Sequence, residues 1–160
     1  EWQCATIQCD FVLPERFALS YVSKNGKEKK PVMLHRVILG SIERFIGALI
    51  EHYGGSFPLW LAPVQIAIIP ITKKQNAYGE KIRSLMIEKD LRVLIDTRDE
   101  KMQKKIREYE LKKIPHLVIV GEKEAKENSV SIRSKSRGNI GKMPVDEFLK
   151  LVREEIESKK

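Results

Sequence analysis

No apolar run in this 160-residue chain approaches the roughly 18 residues that a membrane-spanning helix needs, so no membrane partner is expected. The first residues, EWQCATIQ, have neither the basic n-region nor the apolar h-region of a signal peptide. They also lack an initiator Met and begin inside what reads as a strand, so a fragment is expected. Cysteine is scarce: Cys4 and Cys9 are the only two, too few for a disulfide framework. Five residues apart on one strand, they would point to opposite faces and could not share a bond or a metal. Two reduced thiols fit a cytoplasmic location. A flavodoxin-like small-ligand fold would need a Gly-rich phosphate loop after its first strand, and ITKKQNAYGE offers a single Gly there. No internal repeat or low-complexity segment is present.

What the chain does have is positive charge. Thirty Lys and Arg against 22 Asp and Glu leave a net +8, which favours an anionic partner. Nucleic acid fits better than a membrane surface, because no helix joins a basic face to a strong Trp/Phe/Leu face. Two segments concentrate the cations. Residues 98–113 hold Arg98, Lys101, Lys104, Lys105, Arg107, Lys112 and Lys113 against four acids, a balance that a solvated helix face also shows. Residues 128–145 hold Arg133, Lys135, Arg137 and Lys142 with no acid at all.

The hydrophobic fraction, 42%, allows a core. Residues 3–13 read as a strand, with Ala5, Ile7, Cys9 and Phe11 as its core side and Thr6, Gln8 and Asp10 on the other. Asn25-Gly26 signals a hairpin between 19–24 and 27–34. Ser41 is a good N-cap for a helix whose Ile42, Phe45, Ile46, Leu49 and Ile50 form one apolar face and which Gly54 and Gly55 end. Its N-terminus suits a phosphate or carboxylate, and Arg44, one turn in, could add a planar cation. After Gly54-Gly55-Ser56, Pro58 and Pro63, strands and helices alternate. VQIAIIPI at 64–71 reads as a buried central strand. A helix over about 75–89 turns Tyr78, Ile82, Leu85 and Met86 inward. A strand follows at 91–95, then a helix over about 99–112, capped by Asp99, with Met102, Ile106 and Tyr109 inward. Strands at 116–120 and 129–134 come next. Pro144 at N1 opens a last helix that turns Val145, Phe148, Leu149, Val152 and Ile156 inward. This βαβαβ order implies a parallel core with right-handed crossovers, completed by a short return strand.

The residues say more than their periodicity. WQCATIQCDF at 2–11, LPERF at 13–17, PVMLHRVILGSIERFIGALIEHYGG at 31–55 and FPLWLAPVQ at 57–65 closely resemble the end of the catalytic domain of threonyl-tRNA synthetases. GSIERF is similar to motif 3 of class II aminoacyl-tRNA synthetases. DTRDEKMQKKIREYELKKIPHLVIVGEKE at 96–124 and the residues after it resemble the anticodon-binding domain of the same family, so the likeness covers essentially the whole chain. It implies an α/β fold. A mixed five-stranded sheet with three helices at 58–160 would form the anticodon-binding domain. Residues 1–57 would be the C-terminal piece of an antiparallel class II catalytic domain.

The resemblance also implies roles. Gln3, Thr6 and Gln8 would contact threonine or ATP. Gly40 and Ser41 would let ATP, with its Mg2+, approach the helix start, and Arg44 would stabilise its phosphates as the catalytic residue. His35 matches the last of three ligands, one Cys and two His, of a catalytic zinc. The other two would lie before Glu1, and neither Cys4 nor Cys9 takes the place of the missing Cys, so this chain alone should not hold Zn2+ tightly. Asp99, Lys101, Arg107, Lys113, Glu124 and Arg133 match positions that approach anticodon bases or phosphates of tRNA-Thr. Asp99 stands where some members have Asn, and Lys113 where some have Arg, which changes the hydrogen bonds each can make. Class II motifs 1 and 2 are not in this sequence, so catalysis by the chain alone is not expected. The homodimer expected of the intact enzyme would use motif 1. The alternative is a non-catalytic RNA-binding accessory module built on the same α/β domain.

Overall fold

The structure, a computed structural model, describes residue 3 and residues 5–159. The expected disposition of Cys4 relative to Cys9 therefore lies outside the described residues. The chain divides into two compact units, Glu1–His52 and Tyr53–Lys160.

In the first unit β1 (Thr6–Asp10) leads into a short α1 (Leu13–Arg16). β2 (Tyr21–Val22) and β3 (Glu28–Lys29) form the hairpin expected around Asn25-Gly26. β4 (Met33–Val37) pairs antiparallel with β1, and α2 (Ile42–Tyr53) follows. The strand expected over 3–13 is shorter because Asp10 ends it. Its Oδ1 accepts hydrogen bonds from the backbone N–H of Val12 and Leu13, at 2.8 and 3.0 Å, and turns the chain into α1. The expected core side of that strand is not buried: Ile7 is 70% and Phe11 73% exposed, and Cys9 is exposed too. Two paired strands have no second layer to bury a face against. The apolar stripe of α2 fares similarly, with Phe45 and Leu49 half-buried and Ile42, Ile46 and Ile50 exposed.

The second unit contains β5 (Ile66–Pro70), α3 (Asn76–Ile87), β6 (Val93–Ile95), α4 (Met102–Leu111), β7 (His116–Val120), α5 (Glu122–Lys126), β8 (Ser129–Ser134), β9 (Gly138–Pro144) and α6 (Val145–Ser158). They make a mixed five-stranded sheet in the order β6-β5-β7-β8-β9. β6, β5 and β7 are parallel, while β8 and β9 return antiparallel. β5 is buried at every position, as expected of a central strand with helices on both faces. α3 and α6 cover one face, where Ile66, Ile68, Val130 and Ile132 meet Ile82, Met86, Phe148 and Val152. α4 covers part of the other, where Ala67, Ile69 and Leu117 meet Ile106 and Tyr109. Three long helices are therefore joined by a fourth, α5, which five residues of EKEAK form directly after β7. Pro144 sits one position earlier than expected, as the N-cap of α6 rather than at N1. β9 bulges: Ile132 faces Gly141 but Arg133 faces Asn139, so Ile140 is an extra residue.

What fixes α4 to the sheet is a buried charge cluster at the end of β6. Asp96 is only 3% exposed. It accepts hydrogen bonds from Arg98, from Nε to Oδ1 at 3.0 Å and from a terminal nitrogen to Oδ2 at 2.7 Å, and from the Arg98 backbone N–H at 3.0 Å. Lys105, also buried, donates to the Asp96 carbonyl at 2.9 Å and lies 3.7 Å from its carboxylate. Arg98 reaches on to Glu108 of α4 at 2.6 Å. Asp99 does not cap α4, which starts at Met102 with Lys101 as N-cap and no side-chain cap. Asp99 instead pairs with Lys73 at 2.8 Å. Burial pushes the Asp96 carboxyl up, but the Arg98 side chain and backbone bonds outweigh it and hold the group at about 2, below its ordinary 3.8.

Because the folded value lies below the ordinary one, the stabilisation is present above pH 4 and is lost as pH falls through 2, about 2 kcal/mol in all. Asp96→Asn should flatten this acid limb in urea unfolding curves of the chain. It should also cost about 3–5 kcal/mol near neutral pH, by leaving Lys105 buried without its counter-charge.

Candidate functional site

In the first unit the β1–β4 register gathers several expected residues on one face. Thr6 lies opposite Val37, and Gln8 opposite His35, so Thr6, Gln8, Asp10 and His35 project from the same side of the pair. Gln3 donates from Nε2 to Thr6 Oγ1 at 3.1 Å. His35 Nε2 lies 3.0 Å from Asp10 Oδ2, so one carboxylate both ends β1 and holds the imidazole. Hydrogen bonding to the Leu13 backbone N–H, ahead of the His35 contact, keeps the Asp10 carboxyl below its ordinary value. Among the described residues no cluster of three or more His, Cys, Asp or Glu could hold a metal. His35 is therefore a single candidate ligand and not a centre. Gly40 precedes the helix start, where Ser41 Oγ accepts the Arg44 backbone N–H at 3.2 Å and donates to Glu43 at 2.9 Å. The cap predicted for Ser41 is thus present. The Arg44 side chain is exposed and makes no ion pair among the described residues.

In the second unit the feature is an open sheet face. α4 lies mainly over β5 and the short α5 packs beside β8, so between them that face is only partly covered. Strand alternation puts Ser131 and Arg133 of β8 on it, with Lys142 opposite Ser131 on β9. Arg133 Nε donates to Glu110 Oε1 of α4 at 2.8 Å, which marks the boundary between helix and open face. Arg107, one turn before Glu110, shares that side of α4 and makes no ion pair among the described residues. Glu124 closes the far end. Its carboxylate accepts the Gly121 backbone N–H at 3.0 Å and the Ser131 hydroxyl at 2.8 Å. Burial pushes this carboxyl up, but the Ser131 hydroxyl and the backbone N–H groups hold it below the ordinary range. The group stays an acceptor with free lone pairs on a half-buried, polar surface.

The structure thus brings Arg107, Glu124 and Arg133 to one face. Asp99 and Lys101 sit apart, at the end of β6, with Lys73 beside Asp99. Lys113 is at the other end of α4, in a left-handed conformation at φ 58°, and donates to the Gly54 carbonyl. Sequence reasoning missed Ser131, though it lies two residues before Arg133 on a strand and so had to share its face. It missed the Asp96–Lys105 contact as well. Lys105, i+3 from Met102 and i−4 from Tyr109, occupies an inward position of α4, and a lysine there needs a buried acid.

Residues 65–155 match the family described as "Anticodon binding domain", and residues 1–53 match the "tRNA synthetase class II core domain (G, H, P, S and T)". A threonine--tRNA ligase of Caldanaerobacter subterraneus subsp. tengcongensis is 50% identical over 158 residues, 99% of this chain and 24% of that protein. One from Thermus thermophilus is 52% identical over 149 residues, 93% of this chain and 23% of that protein. The chain therefore spans about a quarter of the length of the curated relatives it matches. Among solved structures, the RNA binding domain of threonyl-tRNA synthetase from Cryptosporidium parvum Iowa II superimposes with a TM-score of 0.81 at 33% identity, over 96% of this chain and 39% of that one. A prolyl-tRNA synthetase from Cryptosporidium parvum shares the fold, with a TM-score of 0.68 at 21% identity, over 98% of this chain and 36% of that one. No helix among the described residues is long and apolar enough to cross a membrane.

The Glu124 carboxylate depends on the bare backbone of Gly121. A Cβ there would come within 2.8 Å of Glu124 Oε2 and 2.8 Å of Ile71 Cδ1. Gly121→Ala should therefore displace the carboxylate and cost about 1–3 kcal/mol. Ser131→Ala, which removes only one donor, should cost about 1 kcal/mol. Denaturation midpoints of the two variants check the ranking.

Proposed function

The chain belongs to the anticodon-binding-domain family, here preceded by a segment of class II tRNA synthetase core, and on that basis we propose that it is part of a threonine--tRNA ligase. The whole enzyme would activate L-threonine with ATP and transfer it to tRNA-Thr. Residues 1–57 would contribute the end of the aminoacylation domain and 58–160 the anticodon-binding domain. The observation that carries the reading is the open face bearing Glu124, Ser131 and Arg133, which lies within the stretch matched to anticodon-binding domains. Single-stranded anticodon loops splay their bases, and an exposed polar sheet face can accept them.

Threonine codons are ACN, so every threonine anticodon ends in G-U, and those letters are what the face must read. Arg133 suits guanine O6 and N7, and Glu124 can accept from guanine N1 and N2. Arg107, Lys101 and Lys113 would meet phosphates, and Asp99 would accept from a base or ribose donor. In the first unit Arg44 would stabilise the ATP phosphates as charge develops on the pyrophosphate leaving group, with Mg2+ accompanying the nucleotide. The capped start of α2 at Gly40 and Ser41 supports that placement. Thr6, Gln8 and Gln3 would line the aminoacyl side. The threonine carboxylate is already ionised and needs no general base.

His35 is proposed as one zinc ligand in the longer protein. Its donor chemistry fits, since Asp10 holds one ring nitrogen and leaves Nδ1 for a metal, the usual carboxylate–imidazole arrangement. When bound, zinc would take the amino group and hydroxyl of threonine, which valine cannot match. Dimerisation and a cytoplasmic location are proposed for the intact enzyme.

Two measurements test the assignment. Arg133→Ala should weaken binding to a tRNA-Thr transcript by about 1–3 kcal/mol, and much less to a transcript with its last two anticodon letters swapped. Equal losses would sink its role as a base reader. The purified chain should show no threonine-dependent ATP–pyrophosphate exchange, and a detectable rate would contradict the division of labour.

A further inference from the structure

The open face does not absorb the basic turn between β8 and β9. β8 runs off that face at Arg133 into Ser134, Lys135, Ser136 and Arg137. There the turn walls a cavity of about 390 Å³ together with Phe57, Pro58, Pro115 and Glu155 of α6. Three features set the cavity apart. Lys135 and Arg137 make no ion pair among the described residues. Burial, and then the charge of Lys113, push the Lys135 ammonium down, so cations crowd this end of the sheet. The opposite wall is apolar, from the ring of Phe57 and two prolines. Behind it, Glu155 is the single acid in the lining, and it is held in place: Oε2 lies 3.1 Å from Nε2 of His116. His116 is 1% exposed and edge-on to Phe148, with ring centroids 5.8 Å apart. Burial lowers the His116 pKa despite Glu155, which favours the neutral imidazole.

We infer that this cavity takes one unstacked nucleotide of the bound RNA, outside the two anticodon letters, with its phosphate on Lys135 and Arg137 and its base against Phe57 and Pro58. The volume lies at the low end of ligand pockets, roughly 300–1,000 Å³, which suits one nucleotide and not a strand. A phosphate satisfies the two unpaired cations. The apolar wall offers a surface for a base. Glu155, an acceptor with one oxygen uncommitted, selects a base that presents an exocyclic amino group. An inorganic anion would use only the cationic half and would meet Glu155 unfavourably. Position is consistent with the same partner: Arg133 and Lys135 are two residues apart, so the cavity lies at the end of β8 that carries Arg133.

This rests on the RNA-binding reading above, and the test separates the two. Binding of the full chain to a tRNA-Thr transcript is measured across a salt series, beside the anticodon-swapped transcript. Lys135→Ala/Arg137→Ala should weaken binding about tenfold and reduce the slope of log K against log salt by about 1, the release expected for one phosphate contact. It should leave the ratio between the two transcripts at the wild-type value. Glu155→Gln should weaken binding several-fold with the slope unchanged, because no phosphate contact is lost. A double variant with wild-type affinity and slope overturns the nucleotide site. So does inorganic phosphate that binds the wild type and not the variant while RNA affinity is the same for both. Loss of the anticodon ratio in the wild-type chain would instead strike the reading of Glu124 and Arg133, while a slope change in the double variant would still support the cavity.

Discussion

Asp96 is withdrawn from water at the C-terminal end of β6, and the rest of the second unit is arranged around keeping it satisfied. Its carboxylate draws in Arg98, its carbonyl holds the Lys105 ammonium, and both cations belong to the turn and helix that follow. An unpaired buried carboxylate would cost several kcal/mol, so α4 has one acceptable seat on the sheet. That seat decides where Glu110 meets Arg133, and hence where the helix stops and the open face begins. A purely apolar α4 could slide along β5 with little penalty. A charge cluster of this kind gives registry more than it gives stability, and registry is what a surface that discriminates bases requires.

The first unit depends on a different balance. Its two small sheets bury little, and Ile7, Phe11, Val32, Leu34 and Ile38 remain largely exposed. Polar contacts define its geometry instead. Asp10 ends β1, starts α1 and grips His35, while Ser41 caps α2 and orients Glu43. These bonds place Thr6, Gln8 and His35 on one face without a packed core beneath them. The apolar side of β1 is patterned for a layer that the described residues do not supply.

Much of this was legible in the sequence, and the exceptions share a cause. The continuous apolar run at 64–71 gave the central strand, because only a strand buried on both faces is written that way. The inward sets of α3, α4 and α6 followed from 3.6-residue spacing, and Gly54-Gly55 marked the end of α2. The fifth strand was announced only as a short return, since GNIGKMP carries two glycines and little alternation. α5 was invisible because EKEAK is charged all round; it forms because Glu124 can bond back to Gly121. Among candidate residues, Arg133 and Glu124 were found by resemblance, and the structure adds what each touches. The partners of Lys113 and Asp99, the Gly54 carbonyl and Lys73, are distant in sequence and carry no local signal.

The bulge in β9 ties the chain's length to its chemistry. Lys142 and Asn139 are three residues apart, an odd number, so a regular strand would send them to opposite faces. The extra Ile140, next to Gly141 at φ 98°, brings both to the open side and lets Ile140 itself join the core under α6. Single-residue insertions or deletions in this strand would therefore exchange an interior aliphatic for an exterior lysine all the way to the helix. Changes by two residues preserve the parity. Descendants of this gene can be expected to vary in the outward side chains of β9 while holding the parity of its residue count.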